Sequence, residues 1–141
     1  MLIGISLISC HKTDDISEPK STSELLTQQD WKGSQVEIYE NNMLMQTQPI
    51  NDVVLKFDKQ KLFYEHSMEA VLNTGSWTIK EGKNINIAIR LSSPNMSILS
   101  NGNDLSLTLH VRSLSNDMFS FKLSKVESDG IIRQYIFHFQ K

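Results

Sequence analysis

From residue 31 to residue 140, apolar and polar residues alternate with a period of two, interrupted at short intervals by turn formers. The cleanest stretch is NINIAIRL at 84–91, where Ile85, Ile87, Ile89 and Leu91 share one face and Asn84, Asn86 and Arg90 the other. The pattern recurs at 104–112, with Leu105, Leu107, Leu109 and Val111 set against Ser106, Thr108, His110 and Arg112. Phe119, Phe121 and Leu123 alternate with Ser120, Lys122 and Ser124, and IIRQYIFHFQ closes the series at 131–140. Shorter versions lie at 31–40, 50–57, 62–64 and 75–80. This period is that of half-buried strands. Turns are expected at 41–42, 58–60, 81–83, 115–117 and 128–130, and a longer loop at 92–103, which carries Pro94 and Asn101-Gly102-Asn103. The stretches 43–49 and 66–72 have no clean period.

The inward set at 84–124 should be Ile85, Ile87, Ile89, Leu105, Leu107, Leu109, Phe119 and Phe121. Before the first strand, Ser21 followed by Glu24 and then Leu25-Leu26 matches a capping box, so a brief helix is expected at about 22–28. About eight strands joined by short turns, with no helix between neighbours, predict an antiparallel meander. A meander of one-face-apolar strands closes on itself because closure removes its two open edges. The expected fold is therefore all-β: an up-and-down antiparallel eight-stranded β-barrel over 25–141, with a short N-terminal helical turn. A barrel of that size holds either its own side chains or one small ligand.

The 141 residues are enough for one domain, and a net charge of −2 gives no basic footprint for nucleic acid. The single cysteine, Cys10, excludes an internal disulfide. It follows the apolar run LIGISLIS, which is too short to span a bilayer as a helix but fits the hydrophobic part of a signal peptide. Leu7-Ile8-Ser9-Cys10 resembles a bacterial lipobox, in which the signal is cut before the cysteine and the cysteine is acylated. Residues 1–9 are then a signal peptide, truncated at its start because no Lys or Arg precedes the apolar run. Residues 10–24, polar and poor in apolar groups, form a flexible tether. Buried acyl chains hold such a domain on a membrane at about 0.8 kcal/mol per CH2. The alternatives are a short hydrophobic strand with a buried cysteine, or a catalytic thiol, for which His11 in a polar tail is a poor base.

The order of features resembles the lipocalin-like lipoprotein domains of gram-negative bacteria. The matching pieces are Cys10 in its lipobox, the polar tether, the Glu24-Leu25-Leu26-Thr27 turn and Trp31 opening the first strand. Gly75-Ser76-Trp77 and the aromatic last strand complete the set. Lys12-Thr13-Asp14-Asp15 is similar to the export signals that some gram-negative lineages place after the lipidated cysteine. The resemblance implies a barrel with a helical turn at one mouth, anchored in the cell envelope at the outer membrane. Lipocalins proper carry glycine two residues before the first-strand tryptophan, where this chain has Gln29.

Catalytic and metal-binding patterns are missing: there is no CxxC, HExxH or glycine-rich phosphate loop, and His11, His66, His110 and His138 lack ligand spacing. His110 is expected to face solvent and His138 the barrel exterior, while Trp31 and Trp77 read as core. Met43 and Met45 fill core or line a barrel mouth, where thioethers tolerate varied apolar ligands. Arg133 falls on the apolar side of the last strand, and Arg133-Gln134-Tyr135 resembles the Arg-x-Tyr pair that holds a carboxylate inside intracellular fatty-acid-binding proteins. Alternatively Arg133 snorkels into solvent at the mouth. The expectation is a monomeric, non-catalytic, cofactor-free lipoprotein binding a small apolar or amphiphilic ligand. The competing expectation is an accessory envelope lipoprotein with a filled barrel that binds another protein or a polysaccharide. A cavity above roughly 300 Å3 lined by inward residues would mark the carrier.

Overall fold

The computed structural model describes residues 19–67, 70–100 and 104–141. Cys10, the 1–9 segment and the tether up to residue 18 lie outside these residues. One short helix, α1 (Thr22–Thr27), precedes nine strands: β1 (Trp31–Glu40), β2 (Met43–Pro49), β3 (Val54–Phe57), β4 (Leu62–His66) and β5 (Val71–Glu81), then β6 (Ile85–Leu91), β7 (Ser106–Leu114), β8 (Met118–Val126) and β9 (Ile132–Gln140). Every pairing is antiparallel between sheet neighbours, and β1 pairs with β9 to close the ring. The result is an eight-stranded up-and-down barrel with one extra strand.

That extra strand has a simple origin. β2 and β3 lie against the same edge of β1, β2 along Gln35 to Glu40 and β3 along Trp31 and Lys32. They are one strand broken at 50–53. The break is pinned by Gly33, whose N–H donates to Val53 O at 2.7 Å, and by Ile50 N–H donating to Ser34 O at 3.1 Å. A Cβ on Gly33 would sit 2.2 Å from Ile50 O, so the approach requires glycine. Past the break only β3 pairs with β4, and β2 stands as an edge, exposed along its whole length.

Turn chemistry sets the register elsewhere. Asn41 and Asn42 both adopt positive φ, 52° and 65°, as the tight β1–β2 hairpin demands. Gly130, at φ 82°, completes the β8–β9 turn, in which Glu127 N–H donates to Ile131 O. The capping box of α1 is present: Ser21 Oγ accepts from Glu24 N–H at 3.2 Å and Ser21 N–H donates to Glu24 Oε1 at 3.4 Å.

All six phenylalanines and both tryptophans are buried. Their rings interlock, with Phe119 reaching Trp31, Phe57, Phe121 and Phe139 at centroid distances of 5.1 to 6.3 Å. At one end, α1 covers the stack with Leu26, whose carbonyl accepts the Trp31 indole N–H at 3.1 Å. At the other end, residues 97–100 after a 3-10 turn (Pro94–Met96) fold over the barrel, and Leu99 is fully buried. Most of the expected inward set faces this core, but Leu105 does not. It precedes β7, sits in the crossover from β6, and is 46% exposed.

Candidate functional site

The end opposite α1 is polar inside. Glu65 on β4 alternates with Phe63 and so points inward, where it is completely buried. Its Oε2 accepts the Ile98 N–H at 2.9 Å, while Oε1 is buried with no hydrogen-bond partner among the described residues. From the opposite wall, Lys125 Nζ on β8 donates to Ile98 O at 2.8 Å and lies over the Tyr135 ring at 4.6 Å. A carboxylate and an ammonium thus clamp the two faces of one residue in the covering loop. Burial pushes the Glu65 carboxyl above its ordinary value, against the Ser97 hydroxyl and the Ile98 N–H, and burial lowers Lys125 to about 8. Asn73 fixes the start of the same loop, accepting Ser92 N–H and Ser93 N–H at 3.2 and 3.1 Å and donating to Ser93 O.

Arg133 and Tyr135 lie on the inward side of β9 at this end, Tyr135 beside Leu123 and Arg133 beside Lys125 in register. Both are occupied by carboxylates of the chain itself. Arg133 Nη2 donates to Asp129 at 2.9 Å and Nε to Glu40 at 3.4 Å, and the Tyr135 hydroxyl donates to Glu127. Burial and Glu127 together push the Tyr135 phenol up to about 12. Met43 and Met45 are on β2, both more than half exposed, away from the ring stack. Trp31 and Trp77 are core, His110 is exposed, and His138 is on the outer face, 2.6 Å from Glu37 Oε1.

Among the described residues, concavities of about 320, 180 and 120 Å3 open on the outer surface. The largest is a groove across β6, β7 and β8 lined by Asn84, Asn86, His110, Arg112, Lys122 and Ser124. Strand register assembles it: Asn86 is opposite His110, and His110 opposite Lys122. The β7–β8 register slips between Val111 and Ser113, leaving Arg112 as an unpaired extra residue beside them. Such a bulge re-aims a side chain. His110 Nδ1 lies 2.9 Å from Asn86 Oδ1, a carboxamide acceptor, so the ring donates there and is held in place. Sequence alternation puts His110 and Arg112 on a wet face; it carries no signal for Lys122 as their neighbour, which depends on the β7–β8 register. Nor does it single out Glu65 and Lys125, which sit at inward positions where charge is not expected.

No family model matches the chain, and no curated protein matches it.

Proposed function

We propose that this protein is a non-catalytic accessory lipoprotein of the cell envelope, held by a lipid on Cys10 at the outer membrane of a gram-negative bacterium, and that it works through the outside of its barrel. The observation that carries this reading is the packed interior. Eight buried aromatic side chains occupy the space a carrier would leave open, α1 covers one end and residues 97–100 the other. A ligand chamber needs roughly 300 Å3 of enclosed, mostly apolar space. The concavity that reaches this size is polar and lies on the outer wall. The Arg133 guanidinium, the charge a carrier would present to an anionic amphiphile, is taken up by Asp129 and Glu40. The partner is accordingly another envelope component, protein or polysaccharide, and not a molecule sequestered inside.

Two measurements test this. Cys10→Ala should move the protein from the membrane fraction to the soluble fraction while the domain stays folded, since the described core makes no use of residue 10. Retention in the membrane pellet rejects the anchor. Native mass spectrometry of the protein purified from its source should give the mass of the chain with its processing and acylation alone; a co-purified amphiphile restores the carrier reading.

A further inference from the structure

We propose that the groove across β6, β7 and β8 binds an anionic saccharide chain, taking a carboxylate or phosphate group between Arg112 and Lys122. The inference rests on the reading of the barrel as filled and outward-working, and it names the surface and the chemistry of the partner.

The first argument is electrostatic. His110 and Lys122 face each other directly across β7 and β8, and Arg112 follows on the same strand as His110. Like charges held close together on one sheet face repel, and Arg112 and Lys122 line the same groove. On β9, by contrast, Arg133 holds two carboxylates and His138 holds Glu37. Among the described residues, neither Arg112 nor Lys122 is ion-paired. The carboxylate closest in register is Glu37, two strands from Lys122 past Ile136, and it is engaged by His138 and by the Tyr39 hydroxyl. A basic cluster left open on a chain of net charge −2 is a local exception to the overall charge.

The second argument is shape and lining. The groove is about 320 Å3 and opens to the outside. A polymer can cross it without threading an end. Beside the charges stand two carboxamides and a hydroxyl, Asn84, Asn86 and Ser124, which both donate and accept hydrogen bonds as sugar hydroxyls require. A guanidinium gives an oxyanion two parallel contacts, and the ammonium adds a point charge.

The test is affinity electrophoresis of the full chain in native gels containing polygalacturonate, dextran phosphate or neutral dextran, each corrected against a gel without polysaccharide. Wild type should be retarded by at least one anionic polymer and not by neutral dextran; the uronate and phosphate gels identify which oxyanion is taken. The double variant Arg112→Gln/Lys122→Gln should bind about tenfold more weakly, equivalent to roughly 1.4 kcal/mol. Arg90→Gln removes the same charge from the outer face of β6 outside the groove and should change binding by less than about twofold. Retardation in neither anionic gel overturns the proposal, as does equal weakening by Arg90→Gln, which would mean net charge and no site. A gel failure with Cys10→Ala still released and no amphiphile co-purified removes the groove and leaves the accessory reading intact. A co-purified amphiphile removes the accessory reading, and the proposal with it.

Discussion

At the scale of single residues, the Glu65–Ile98–Lys125 clamp is the least comfortable part of the molecule. Glu65 is buried and Lys125 half-buried, and burial drives each toward its neutral form. The signs give different pH windows. Glu65 holds its proton more tightly in the folded state, so it favours folding below the ordinary carboxyl value of 4.5, and that advantage is lost as pH rises through the raised value. Lys125 releases its proton more easily when folded, so the burden of its buried ammonium is present below about 8 and is relieved toward 10.5, the value it returns to on unfolding. Glu65→Gln should therefore gain stability relative to wild type as pH rises from 4.5 toward neutrality, read as the difference in urea midpoints across pH. Asp129 acts in the opposite sense: the Ile131 N–H and Arg133 hold its carboxyl low, so its contribution is present above the ordinary value and fades as pH falls. Because Asp129 titrates in both proteins, the difference between them isolates Glu65. A constant difference would mean the two carboxyl oxygens are solvated after all.

At the scale of elements, the broken strand explains which parts of the fold were legible. β6, β8 and β9 show their alternation because one face meets the aromatic stack and the other is largely polar, with Ser120 and Ile136 buried on it. β2 has no such contrast. Both its faces are exposed, so burial imposes no period on MLMQTQP, and 43–49 reads as unassigned. The break at 50–53 follows from one backbone approach at Gly33, which no periodicity encodes. Leu105 extends the pattern of β7 by one residue beyond where pairing begins, so its apolar character suggested an inward position it does not hold. The groove was half legible: His110 and Arg112 stand on a recognisably polar face, but the slip that sets Arg112 beside Lys122 is a property of pairing. Gly33→Ala should lower stability by about 2 kcal/mol or more, since a methyl 2.2 Å from a backbone oxygen forces the strand apart. Gly82→Ala, with nothing within 4 Å of the new carbon, should change stability by less than about 0.5 kcal/mol in the same denaturant titration.

At the scale of the whole molecule, the ring stack lies between α1 at one end of the barrel and residues 97–100 at the other. The described chain enters at the α1 end, with Lys20 reaching Gln28 and Asn116 there. The loop-covered end, with the exposed Met43, Leu44 and Met45 of the β1–β2 hairpin and Val126 and Ile132 of the β8–β9 hairpin, is opposite. An anchor preceding residue 19 would leave that end facing away from the lipid.

The pairing of β1 with β9 also sets the order of events in folding. Glu37 and His138 meet across that seam from positions 101 residues apart. Bringing such distant segments together costs about 4 kcal/mol in loop entropy before any contact along the seam forms. Until the last strand is available, β1 has an open edge and the rings of Phe119 and Phe121 lack their partners Phe139 and Phe137 on β9. Refolding followed by tryptophan fluorescence should thus be slow, in the range of about milliseconds to seconds. A chain shortened before Ile132 should stay unfolded by circular dichroism. A barrel built this way has no closed form until β9 can reach β1, so its shape is settled by the last strand and not by the first.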